Sequence, residues 1–139
     1  VSLTTTWQVR VQWGDCDAAK IVFYPNYFRW FDAATNVWQE TLGGGLSGLR
    51  DNYGLVALPL LEAHANFLRS TRFGDELTIE THLDSWERKV LRLRHRISVG
   101  GETAVEGLET RAWCIQNPND ADALKAAPIP DEIVALFRR

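Results

Sequence analysis

A chain of 139 residues and 15.8 kDa, 45% hydrophobic and 24% charged, suits one globular domain with its own core, spanning residues 1–139. No apolar run nears the roughly 20 residues of a membrane helix, and a net charge of −3 with a pI near 5.6 argues against bulk binding to nucleic acid or anionic membrane. Cys16 and Cys114 form neither a disulfide framework nor a metal knuckle; the stretch Val1 to Arg10 lacks a signal-peptide layout, so the cytoplasm is the expected compartment.

Residues 7–13 (Trp-Gln-Val-Arg-Val-Gln-Trp) alternate apolar and polar, which predicts a half-buried strand. Asp15 and Asp17 come just past it, and Pro25 closes a short apolar bridge. Residues 26–42 read as a helix. Tyr27, Trp30, Phe31, Ala34, Trp38 and Leu42 recur at its 3.6-residue period. Asn26 suits its N-cap, and Gly43 to Gly45 suit its end. So apolar a stripe belongs against a sheet.

From Gly54 the pattern turns to strands, over residues 55–69, 76–86, 90–99 and 103–116. Gly74-Asp75 and Gly100-Gly101 are turns, and a short helix is predicted from about Pro130. Short turns require antiparallel pairing. The expected class is therefore α+β, a curved antiparallel sheet of about five strands wrapped around one long central helix. The sheet's second face would lie open in a monomer, which predicts an oligomer.

Asp15 and Asp17 read most simply as an Asx turn closing a strand. Their functional reading rests on what surrounds them. Residues two apart on an extended segment point the same way, so one carboxylate can orient the other. A helix N-terminus follows within ten residues, offering free N–H groups and a partial positive charge to an oxyanion. Aromatic residues at 23, 24, 27 and 30 could wall a dry site, and Tyr27 is a substrate-binding candidate. His64, His82 and His95 have no metal-ligand spacing, and His95 sits on an apolar strand face as a core residue would. No metal or cofactor is expected.

The run Gly14-Asp15-Cys16-Asp17-x-Ala19-x-Ile21-Val22-Phe23-Tyr24-Pro25-Asn26-Tyr27-x-Arg29-Trp30-x-Asp32-Ala33-Ala34 resembles the 4-hydroxybenzoyl-CoA thioesterase family. The likeness continues more thinly through Ala65-x-Phe67, Asp75 to Thr81, and Trp86-x-Arg88-Lys89. The resemblance implies a hotdog fold, edge-to-edge dimers often doubled to tetramers, and active sites at the dimer interface. It assigns catalysis to the Asp17 carboxylate, as nucleophile or general base, and carbonyl polarisation to the backbone N–H of Tyr24. It makes Asp32 the pocket carboxylate that meets a ring hydroxyl; the plainer reading of Asp32 is an ion pair with Arg29. It places His64 in the pocket wall and Arg88 and Lys89 at the phosphates of coenzyme A, although a solvated strand face also explains that basic run. The family has glycine where this chain has Lys20, and glycine there permits a backbone shape that lysine resists.

The implied activity is hydrolysis of an acyl-CoA, with 4-hydroxybenzoyl or a related aryl group as the expected acyl part. A thiolate leaves readily, so a nucleophile or base and an oxyanion donor suffice. A short-chain acyl substrate is the near alternative. A non-catalytic acyl-CoA-binding module is the rival from another class. A dehydratase would need a His/Glu pair on the helix, and residues 26–42 contain no histidine.

Overall fold

The aromatic stripe decides the architecture. In the computed structural model, which describes residues 3–139, helix α1 (Pro25–Gln39) buries Tyr27, Trp30, Phe31, Ala34 and Trp38. Pro25 opens the helix, since its fixed φ suits the first turn and its missing N–H costs nothing there. Tyr24, not Asn26, is the cap residue. A 3-10 turn (Glu40–Leu42) carries α1 to Gly43, whose φ of +86° ends it. Burying Phe31 alone contributes about 3 kcal/mol.

That stripe lies against β1 (Thr4–Arg10), β4 (Glu76–Trp86) and β5 (Val90–Val99). With β6 (Glu102–Ala112) and β3 (Leu60–Phe67) they form an antiparallel sheet ordered β1-β4-β5-β6-β3. Helix α2 (Gly45–Tyr53) follows α1. A second small sheet joins β2 (Leu55–Ala57), β7 (Cys114–Gln116) and β8 (Leu124–Ala126), and α3 (Asp131–Phe137) closes the chain.

Three expectations need correction. The first strand occupies 4–10 rather than 7–13, because Val11 N–H bonds Asp75 O and residues 13–15 wind into a 3-10 turn. The predicted strands 55–69 and 103–116 each divide in two, and their outer pieces make the small sheet. The sheet's open second face is polar, so it does not by itself argue for the expected oligomer. It carries Thr6, Gln8, Glu80, Asp84, Arg94 and Arg96, with Arg94 paired to Asp84 at 2.8 Å, and water can cover it. The open feature is instead the β3 edge, where Leu60, Leu61 and Phe67 stay about half exposed.

Register fixes the two ends of the molecule. Arg10 lies opposite Glu76, Val99 opposite Glu102, and Phe67 opposite Val105. These residues and the N-terminus of α1 share one end; Trp86, Val90 and Ala112 mark the other.

Candidate active site

The bridge from Asp15 to Phe23 is a tight hairpin-like loop. Cys16 and Val22 pair across it, Asp17 N–H donates to Ile21 O at 3.0 Å, and Phe23 N–H donates to Asp15 O at 2.8 Å. Val22 N–H donates to Thr71 O, and the Asn26 amide donates to Asp15 O at 2.9 Å, so both neighbours hold the loop. Asn26, expected as a helix cap, is thus a loop clamp. Lys20 N–H closes the tip onto Asp17 O, and Lys20 sits at φ +65°, the one non-glycine residue with positive φ among the described residues.

Asp17 stands on this loop with its carboxylate exposed. Its Oδ1 accepts the Ala19 N–H at 2.8 Å, an Asx turn that fixes the side chain and leaves Oδ2 open. Asp15 is not its orienting partner. Asp15 Oδ2 accepts the Gln12 N–H and Oδ1 accepts Arg29 Nη2, each within 2.9 Å. The carboxylates therefore divide their labour: Asp15 builds, and Asp17 is available.

At the start of α1, Asn26 N–H bonds Phe23 O and Tyr27 N–H bonds Tyr24 O, while Pro25 has no N–H. The Tyr24 N–H makes no hydrogen bond among the described residues, so it is the free donor at this positive helix end. Beside it opens a cleft of about 270 Å³, lined by Ile21, Val22, Tyr24, Tyr27, Phe67 and Arg69 among others. Tyr27 contributes its ring. Its hydroxyl shares a 2.6 Å hydrogen bond with Thr71, and burial pushes the phenol pKa up, so it stays protonated.

Asp32 lies further along α1 and does not pair with Arg29, which Asp15 occupies. Its Oδ1 accepts Arg111 Nη2 at 2.9 Å. Arg111 belongs to a buried network that local reading missed. Its Nη2 also reaches Glu109 Oε2 at 2.5 Å, and Glu109 Oε1 meets His95 Nε2 at 2.7 Å. His95 Nδ1 pairs with the Thr81 hydroxyl at 2.7 Å, and Thr35 donates to Glu109. His95 is thus a satisfied core residue, as its strand face suggests. Burial would raise the Glu109 pKa, but His95 and Arg111 outweigh it and hold the carboxyl down to about 2. The signal for this network lies in β6, where the inward positions read Val105, Gly107, Glu109, Arg111.

Asp17, Asp32, His64, Arg88 and Lys89 do not line this cleft within one chain. His64 is exposed on β3 opposite Leu108 and does not line the cleft. Arg88 and Lys89 follow Trp86 at the far end of the sheet, roughly 30 Å of strand from Glu76. Arg88 borders a separate cleft of about 380 Å³ with Trp86, Pro128 and Ile129.

Comparison with known proteins gives this geometry its context. The family model of the thioesterase-like superfamily matches residues 11–137. The chain is 34% identical to the 4-hydroxybenzoyl-CoA thioesterase of Pseudomonas sp. strain CBS-3, over 94% of this chain and 95% of that one. It superposes with a TM-score of 0.87 on the crystal structure of a D17N mutant of 4-hydroxybenzoyl-CoA thioesterase complexed with 4-hydroxybenzoyl-CoA, at 31% identity, covering 97% and 99% of the two chains. A gentisyl-coenzyme A thioesterase matches with a TM-score of 0.80 and 32% identity, over 97% of this chain and all of the other. The chain belongs to the thioesterase-like superfamily, among the hotdog-fold thioester hydrolases of the 4-hydroxybenzoyl-CoA thioesterase family.

Proposed function

We propose that this protein hydrolyses an aryl-CoA, 4-hydroxybenzoyl-CoA or a close hydroxyaryl relative, to the free acid and coenzyme A. The observation that carries the reading is that Asp17, on a clamped loop, keeps one carboxylate oxygen open while the Tyr24 N–H, where that loop enters the helix, makes no hydrogen bond among the described residues. The thioester carbonyl oxygen accepts the Tyr24 N–H, and negative charge developing there is stabilised by that N–H and the helix dipole. Asp17 then supplies the negative oxygen. It either attacks the carbonyl carbon, forming a mixed anhydride that water cleaves, or takes a proton from the attacking water. Both routes expel the CoA thiolate, which needs little acid assistance. The similar protein held with 4-hydroxybenzoyl-CoA is a D17N mutant, and this chain too has aspartate at position 17.

The acyl ring fits the aromatic wall of Tyr27 and its neighbours, and Asp32 accepts the ring hydroxyl. A single chain leaves this site incomplete, which supports a homodimer. Antiparallel pairing of two β3 edges about a two-fold axis continues the sheet and exchanges its ends. The partner's copies of Arg88 and Lys89 then come to the Asp17 end, where they can hold the phosphates of coenzyme A. His64, on the same edge, lies at that junction and contributes to the pocket wall. The resemblance to the 4-hydroxybenzoyl-CoA thioesterase family supports two such dimers associating as a tetramer. Both cysteines are unpaired, as a reducing cytoplasm keeps them.

The test is free-thiol release from a panel of aryl and short-chain acyl-CoAs. The expected order places hydroxyaryl-CoAs first, and Asp17→Asn lowers kcat by roughly 10²–10⁴-fold. Single turnover in ¹⁸O-water tests direct attack: label in the Asp17 carboxylate requires water to open the mixed anhydride at the aspartyl carbonyl, a step the general-base route does not contain. No release from any acyl-CoA, with binding intact, would make this a binding module. Best turnover of short-chain substrates would move the substrate class.

A further inference from the structure

We infer that Arg111 is a positioning residue for substrate specificity, holding Asp32 in place to read the polar substituent of the acyl ring. This rests on Asp32 being the group that meets that substituent.

The arrangement is costly for a purely structural device. The Arg111 side chain is only 7% exposed and Glu109 only 2%, so both ends of this ion pair are desolvated. Such pairs are often no more stabilising than apolar side chains of similar volume. The Arg111 Nε–H is buried with no hydrogen-bond partner, an additional cost. Stability alone gives little reason to keep a guanidinium here.

Its contacts supply a reason. Arg111 Nη1 donates to Leu58 O at 2.9 Å, and Nη2 bridges Glu109 and Asp32. Glu109 is itself fixed by His95 and Thr35, one from the sheet and one from α1. The guanidinium is therefore braced by Leu58 and Glu109, and the one exposed group it touches is Asp32, 60% exposed. An aspartate on a helix surface would otherwise sample several rotamers. Arg111 takes Oδ1, and Oδ2 carries no protein hydrogen bond among the described residues. One oxygen is anchored, and the other is presented to a hydroxyl donor. The same anchoring disfavours a ring that carries no donor, because binding it would bury that oxygen unpaired.

The readout is the ratio of kcat/KM for 4-hydroxybenzoyl-CoA to that for benzoyl-CoA. Arg111→Lys keeps the charge but cannot span Leu58, Glu109 and Asp32 together. The double variant Glu109→Leu/Arg111→Met removes both buried charges and guards against misfolding, with circular dichroism and thermal melting as controls. In each, the ratio is expected to fall roughly tenfold, the worth of a hydrogen bond to a charged group, as in Asp32→Asn. Adding Arg111→Lys to Asp32→Asn should change the ratio no further. An unchanged ratio in both Arg111 variants, alongside a collapsed ratio in Asp32→Asn, overturns this inference and leaves the Asp32 reading standing. An unchanged ratio in Asp32→Asn overturns both.

Discussion

The ring of Phe31 lies flat on the imidazole of His95, with centroids 4.8 Å apart and planes 9° apart. This contact is where α1 meets the buried polar network, and it is possible because Gly107, opposite His95 in register, has no side chain. A Cβ built on Gly107 would lie 2.4 Å from Phe31 Cζ. Gly107→Ala must push Phe31 off His95 and is expected to cost about 1–3 kcal/mol, read as a lower urea midpoint. An unchanged midpoint would mean that the helix shifts over the sheet without penalty.

Lys20 presents the opposite case, a side chain where glycine would fit better. Its φ of +65° is left-handed, a conformation that costs a lysine roughly 1–2 kcal/mol. Lys20→Gly should raise stability by about 1 kcal/mol, after glycine's greater entropy loss, and Tm by about 2–4 °C. Lys20→Ala should give none of this gain. Equal melting of both variants would place the benefit in the lost charge rather than the backbone.

These two positions show what a sequence exposes. The α1 stripe and the Gly100-Gly101 turn are local patterns, and both were legible. The Asp17 loop was visible as a motif, but its internal bonding was not: Asp15 and Asp17 read as a cooperating pair, whereas Arg29 and the Gln12 N–H claim Asp15. Partners far apart in the chain leave the weakest trace. Asp32 and Arg111 are 79 residues apart, and a helix reading of Asp32 sees Arg29 instead. The boundary of β1 shifted for a related reason. Val11-Gln12-Trp13 continues the strand alternation, and only the Asp75 and Asp15 contacts turn the chain away.

The half-exposed β3 edge leads to a prediction about assembly. Leu61 is 59% exposed on an edge strand with an unpaired side. Leu61→Glu places a charge where the proposed partner strand must dock. The expected result is a shift from dimer toward monomer by light scattering, with thioesterase activity falling at least about tenfold. Full activity in a monomeric variant would show that one chain holds the whole site.

Acid stability tests the buried network independently of catalysis. The Glu109 pKa stands at about 2 in the folded chain against 4.5 ordinarily, so the unfolded chain takes up the proton first as pH falls. The associated stability, about 3 kcal/mol, is present in full above pH 4.5 and drains away as pH drops toward 2. In Glu109→Gln this pH dependence is absent, and Arg111 loses its buried partner at every pH. Urea unfolding across this range should show the variant weaker by about 3–5 kcal/mol at pH 7. The difference should narrow progressively below pH 4.5, because protonation of Glu109 in the unfolded wild-type chain removes the wild type's advantage while the folded carboxyl stays charged until about pH 2. A gap that stays constant down to pH 2 would show that Glu109 does not carry this charge in the folded state.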